Sequence, residues 1–302
     1  MSILMIFTIS LDVCVLLVST SGHMFILLVN ALDAAKSRRL HLGDRLICNI
    51  SVVNILFLNL NIFEDIFFFL RPINISIEAA NKCFLVLYLT MHSSNIWFST
   101  WLCVYFCVTI VKINQRFYIY LQKIFPKVVT WICIFTVLQS IIFSFFSVRT
   151  NSAELSSNST DTVYDVIESL RMYYMYTPHI YIYSVTFSAS FIISYASALT
   201  VIFFLFKHMK KMKHNSEVPR NTPNVEAHIR AIRTILALLA INTLLFLSAL
   251  HWFTMNSITN YQHFTIIFSA LHSLLLPLVL IKLNSKLNKI LQKFLQNWTF
   301  SE

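Results

Sequence analysis

The sequence predicts an all-α membrane protein: a bundle of seven transmembrane helices, N-terminus outside, followed by a short amphipathic C-terminal helix. Three observations carry this. Only 12% of the 302 residues are charged and 57% are hydrophobic, where a soluble domain carries about 25% charge. Seven stretches offer the roughly 20 apolar residues that a membrane helix needs. Finally, 19 of the 23 Lys and Arg fall on one side of the membrane when the seven stretches are threaded through it.

The spans run at about 9–32, 46–70, 84–111, 128–148, 180–206, 235–253 and 264–283, as one receptor-sized domain over 1–302. The first follows an outer segment of about ten residues. Its opening Met1-Ser2-Ile3 lacks a basic region and a cleavage site, so the helix itself is expected to direct insertion. Tyr and Ser dilute the fifth and sixth spans, which makes them the weakest of the seven. Strands are excluded, because the runs are too long and lack period-two alternation. Beyond Lys282, Leu283, Leu287, Leu291, Phe294 and Trp298 line one side of a segment in which Lys286, Lys289 and Lys293 interleave. That pattern suits a helix lying in the membrane surface.

Orientation follows from the basic segments. Residues 33–45, 112–127, 207–233 and 282–302 hold 4, 4, 7 and 4 Lys/Arg and belong in the cytoplasm. The net charge of +10 is therefore a topology signal and implies no nucleic-acid partner. Of the six Cys, only Cys83 lies near the outer face, and the long outer loop at about 149–178 has none. A disulfide joining the third span to that loop is ruled out. The sequons at Asn74 and Asn158 fall on outer loops, where glycosylation is accessible.

Composition also narrows the chemistry. Two glycines exclude a phosphate-binding loop or dinucleotide fingerprint. The ten His are scattered, with no ligand spacing for a metal. Asp12 and Asp65 sit on different helices and do not suggest a proteolytic dyad. A retinal Schiff base needs a Lys in mid-membrane, and Lys282 lies at the cytoplasmic end. Transporters show repeats and Gly- or Pro-broken helices; no internal repeat is evident. A receptor without cofactor or enzymatic activity remains.

Several blocks then stand in a recognisable order. Gly22, Phe25-Ile26, Leu28-Val29-Asn30, Asp33, Arg38-Arg39-Leu40 and Asp44 occupy the first two helices and their loop. Phe191, Ser194, Ser197 and Leu205-Phe206-Lys207-His208-Met209-Lys210-Lys211-Met212 follow in the fifth. Glu226-Ala227-His228-Ile229-Arg230 opens the sixth, Trp97-Phe98-Ser99-Thr100 lies in the third, and Asn284-Ser285-Lys286-Leu287 begins the tail. Together they resemble the bitter taste receptors, the type 2 taste receptor family. Missing motifs agree: there is no Asp-Arg-Tyr after the third span and no Asn-Pro-x-x-Tyr in the seventh. The resemblance has departures. His23 replaces an Asn, Asn54 an Arg, Phe204 a Ser, Ser190 a Pro, Thr109 a Lys and Pro277 a Ser. In the family these positions hold the interhelical hydrogen-bond network of the resting state.

The resemblance implies a plasma-membrane receptor that binds small, mostly apolar bitter compounds in the outer third of the bundle. It also implies a gustducin-type heterotrimeric G protein as partner. Tyr88, His92 and Asn95 share one face of the third helix at i, i+4 and i+7, and the resemblance turns that face toward the ligand. Interhelical hydrogen bonding is the competing reading, above all for Asn95. Asp65 falls on a family pocket position; it could meet a cationic ligand or be a solvated cap beside Glu64. Tyr183 and Phe187 on the fifth helix, Ser248 and Trp252 on the sixth and Ser269 on the seventh would complete the ring, although Trp252 could equally anchor the interface. On the inner side, Lys207, His208, Lys210, Lys211, His228, Arg230 and Arg233 form the expected G protein-facing surface, where positive-inside anchoring alone would also account for the charge. The alternatives are a type 1 vomeronasal-like chemoreceptor, toward which Pro277 leans, and a seven-helix transporter.

Overall fold

A hydrocarbon environment leaves no water for backbone amides, so each spanning segment must satisfy its own N–H and C=O groups as a helix. The computed structural model of the chain describes residues 3–37, 40–70, 77–111, 116–149, 178–215, 223–254 and 262–299. Its helices are α1 (Ile3–Ser37), α2 (Leu42–Leu70), α3 (Ile77–Ile110), α4 (Arg116–Arg149), α5 (Pro178–Asn215), α6 (Pro223–Thr254), α7 (Gln262–Leu283) and α8 (Ser285–Thr299). No strand occurs among the described residues. The helices pack as neighbours in chain order, and α7 closes the ring against α1. Helix α3 is the hub, with α2, α4, α5 and α6 all against it.

The bundle is apolar outside, and its largely apolar interior also holds a set of buried polar side chains. Trp131, Phe135, Val185 and Phe203 are exposed on α4 and α5, while Ser19, His23, Ser51, Asn54, Asn95, Ser144 and Ser190 are buried. Among the described residues, five stretches are long and apolar enough to cross a membrane: Val13–Ser37, Leu42–Phe63, Tyr118–Phe145, Ser184–Lys210 and Ile229–Ser248. Helices α7 and α8 meet the same requirement only as a pair, bent by 102°. The expectation that the fifth and sixth spans are the most diluted is corrected here, since both qualify. The dilution falls on α3, where Thr90, His92, Ser93, Ser94, Asn95, Ser99 and Thr100 interrupt the apolar run, and all seven are buried.

The sharp turn into α8 is built by one residue. Asn284 Oδ1 accepts the backbone N–H of Lys286 at 3.0 Å and that of Leu287 at 3.4 Å, an N-cap that starts the new helix. Its Nδ2 donates to Asp44 Oδ1 at 2.5 Å on α2. Lys286 Nζ then reaches Asp33 Oδ2 at 2.8 Å and Asn30 Oδ1 at 3.1 Å on α1. Leu287 is fully buried beneath this polar latch.

Pro277, inside α7, requires two concessions from α1. A proline in a helix removes one N–H donor and crowds its neighbours. The carbonyl left without its i+4 donor belongs to Ser273, and Ser19 Oγ donates to it at 2.7 Å. One turn further along α1, Gly22 makes room for the ring: a Cβ there would stand 2.8 Å from Pro277 Cβ. Small residues at helix contacts allow such close approach. The second glycine of the chain plays the same part between α2 and α3, since a Cβ on Gly43 would lie 2.9 Å from Tyr105 Cε1.

This arrangement predicts a dependence between two positions. Ser19→Ala strands the Ser273 carbonyl and should cost about 1–3 kcal/mol, seen as a lower melting temperature of the detergent-solubilised protein. In a Pro277→Ala background, where the helix regains its own donor, the same change should be close to neutral. Equal losses in both backgrounds would refute the pairing.

Candidate functional site

In the half of the bundle farther from α8 an aromatic column is assembled from three helices. Tyr88 and His92 are one turn apart on α3, so their rings stack, with centroids 5.8 Å apart and 13° between planes. Phe187 of α5 lies on the other face of His92 at 5.2 Å and 9°. Phe57 of α2 leans on both, 5.3 Å from Tyr88 and 6.1 Å from His92. His92, Phe187 and Phe57 are buried, and Tyr88 is half-buried. Leu85, Leu89, Ile96 and Phe246 pack around the column. The structure thus brings together three of the residues singled out from the sequence, Tyr88, His92 and Phe187, and adds Phe57. Nothing in the spacing of α2 distinguishes Phe57 from its many Phe neighbours.

Asn95 is placed otherwise. It exchanges two hydrogen bonds with Asn54 of α2, donating to Asn54 Oδ1 at 3.1 Å and accepting from Asn54 Nδ2 at 3.0 Å. Its amide therefore faces α2, as the interhelical reading anticipated. Ser248 is buried and donates to the Leu245 carbonyl of its own helix at 2.8 Å. Ser269 is half-buried on α7. Asp65, Tyr183 and Trp252 belong to α2, α5 and α6, but their side chains lie outside the described residues. Asn74 and Asn158 lie outside them altogether.

Below the column, a small pocket between α3, α5 and α6 is lined by Ile96, Thr100, Phe191, Ser194, Asn242, Leu245 and Phe246, with space for about 10 Å³. That is room for roughly one water. Asn242 donates to Ser194 Oγ at 3.3 Å, Ser194 donates to Cys103 Sγ at 3.4 Å, and Asn242 Oδ1 finds no partner in the protein. Asn242 and Cys103 were not singled out from the sequence. An Asn within the apolar run of the sixth span was the available signal, because buried polar groups in a membrane are seldom idle.

Further in, the family departures have partners. His23 Nδ1 shares a hydrogen bond with Ser51 Oγ at 3.2 Å. Ser190 accepts at its carbonyl from Thr100 Oγ1 at 3.2 Å. Phe204 stacks on His208 with centroids 6.4 Å apart. His272 is buried on α7, and its Nε2, like that of His23, has no protein partner. All six Cys are free.

Where α5 ends and α6 begins, Lys207, His208, Lys210, Arg230 and Arg233 are exposed. Lys211 lies in α5 and His228 in α6, with side chains outside the described residues. No group of three metal-ligating side chains occurs among the described residues.

A family model described as Taste receptor protein (TAS2R) matches residues 1–299. Among curated proteins, taste receptor type 2 member 41 of Pan paniscus is 29% identical over 163 residues, 52% of this chain and 52% of the relative. Taste receptor type 2 member 4 of Gorilla gorilla gorilla is 25% identical over 217 residues, 70% of this chain and 69% of its own. Taste receptor type 2 member 103 of Rattus norvegicus is 23% identical over 257 residues, 82% and 76% respectively. The matched stretch spans about half the length of the first of these relatives.

The Asn54–Asn95 pair gives a measurable coupling. Asn54→Ala and Asn95→Ala should each lower stability by about 0.5–2 kcal/mol, and the double variant by little more than either alone. Additive losses in thermal melting would show that the two amides act separately.

Proposed function

This chain belongs to the TAS2R taste receptor family, and on that premise we propose that it is a G protein-coupled receptor for small, mostly apolar bitter compounds. Membership sets aside the vomeronasal-like alternative. It is a multi-pass membrane protein of the cell surface, and in this reading its N-terminus faces outward. The compounds enter the outer third of the bundle and rest against the Tyr88–His92–Phe187 column, with Asp65, Tyr183, Ser248, Trp252 and Ser269 around them. The cytoplasmic surface formed by Lys207, His208, Lys210, Lys211, His228, Arg230 and Arg233 receives a gustducin-type heterotrimer. Asn74 and Asn158 carry glycans on the outer side.

The observation that supports this best is the column itself. Four rings from α2, α3 and α5 gather there, three of them buried against one another, and a compound that parts them would meet flat, polarisable faces with few fixed charges nearby. Such a surface gains area and stacking from many apolar or aromatic compounds without selecting strongly among them. Wide tolerance with modest affinity follows. Signalling needs only that ligand bind one arrangement of the bundle better than another. The inner ends of α3, α5 and α6 then separate to admit the G protein.

The test is a calcium-release assay in cells co-expressing the chain and a gustducin-type or promiscuous G protein. Bitter compounds should give dose-dependent signals that require the G protein. His92→Ala removes the middle of the column and should raise half-maximal concentrations roughly tenfold, about 1.4 kcal/mol of binding. Silence across a broad panel, with surface expression confirmed, would sink the reading; unchanged responses in His92→Ala would sink the site.

A further inference from the structure

A large cavity lies away from the ligand column, where α2 begins, α3 ends and α4 begins. It holds about 800 Å³ and is lined by Leu40, His41, Leu42, Arg45, Tyr105, Val108, Thr109, Gln122, Phe125 and Pro126. Its floor is apolar: Phe125, Val108 and the ring of Tyr105 are buried there. Its wall holds donors. Arg45 is exposed and makes one long hydrogen bond, to Thr130 Oγ1 at 3.4 Å, so most of its guanidinium donors are not engaged by that bond. His41 Nδ1 meets Tyr105 Oη at 3.3 Å, which holds both groups at the rim.

The groove is held open by the helix ends around it. The carbonyls at the end of α3 are satisfied from α4, with Gln122 Nε2 donating to Val108 O at 2.8 Å and Val111 O at 3.1 Å, and Tyr118 Oη donating to Cys107 O. Tyr105 cannot fold back toward α2, because Gly43 already lies against its ring.

Depth and charge point to the occupant. The apolar span of α2 begins at Leu42 and the sequence starts the apolar run of α4 at about 128, so the groove lies at the boundary between hydrocarbon and headgroups. Arg116, Lys123 and Lys127 are exposed on the adjoining face of α4. The acidic neighbour Asp44 does not line the groove and is taken up by Asn284 and Lys286. A half-apolar cleft at that depth, with a planar cation at its wall, three more at its edge and no carboxylate lining it, matches a phosphate headgroup with acyl chains running down the bundle.

We propose that this groove between α2, α3 and α4 is a binding site for the phosphate headgroup of an anionic glycerophospholipid. The proposal borrows from the receptor reading only the side of the membrane, and its test needs neither a bitter compound nor a G protein.

The full-length protein would be reconstituted in phosphatidylcholine nanodiscs doped with phosphatidylserine, released into mild detergent, and its retained lipids counted by native mass spectrometry. Phosphatidylserine should be retained over phosphatidylcholine. Arg45→Gln should lower that retention about fivefold, the effect of one basic group at the membrane surface, while Arg45→Lys keeps most of it. The Lys207→Gln/Lys210→Gln variant removes charge at the far end of α5 and should change little. A melting temperature for each variant shows that it is folded. Equal retention of the two lipids, or an equal loss from the α5 variant, would overturn the proposal, because the lipid would then follow overall basic charge. Arg45→Gln that spares lipid but impairs G protein coupling would assign the groove to a protein partner and overturn it as well.

Discussion

Helices in a bilayer gain little by burying apolar side chains against one another, since lipid tails are as apolar as leucine. Much of what joins this bundle is a set of polar side chains, and α3 carries more of the buried ones than any other helix. Asn95 clasps Asn54 on α2; Ser93 accepts from Ser140 and Trp101 donates to Thr136 on α4. Thr100 donates to the Ser190 carbonyl on α5, and Cys103 receives Ser194 of α5 and Asn242 of α6. Ser93, Asn95 and Thr100, which weaken α3 as an apolar span, are among the residues that bind it to its neighbours. A helix surrounded by protein can carry them, because its partners replace the water it lacks.

The same logic governs the departures from the family pattern. A histidine, an asparagine and a proline in the membrane each bring a group that must be satisfied. His23 finds Ser51, Asn54 finds Asn95, and the carbonyl uncovered by Pro277 finds Ser19.

Much of this was legible in the sequence, and the limits have a physical cause. Apolar runs and basic segments declare spans because each is local. The face shared by Tyr88 and His92 is equally local, a matter of one helical turn. Asn54 was noticeable as a polar residue, but its partner depends on the axial offset between α2 and α3, which no single helix encodes. The need of Pro277 was readable; that Ser19 meets it was not, because 254 positions separate Ser19 from the carbonyl it serves. The groove beside Arg45 gathers residues from three distant segments, each unremarkable alone. The third span misled for the opposite reason: hydropathy measures suitability for lipid, and α3 is mostly covered by protein.

The latch at Asn284 and Lys286 has a mechanical consequence. It ties α8 to α1 and α2, while Ser19 ties α1 to α7 and His23 ties α1 to α2. These four helices form a braced frame with polar struts at both the middle and the α8 end. A frame of this kind behaves as a stator: a load applied anywhere in the bundle is taken up by whatever is least braced. Outside the frame, α5 and α6 pack on each other through Val201, Leu205, Ile232 and Ile235, with Asn242–Ser194 and Tyr195–Thr243 as their polar bonds among those described. Apolar surfaces slide at little cost, whereas an ion pair and a capped helix do not.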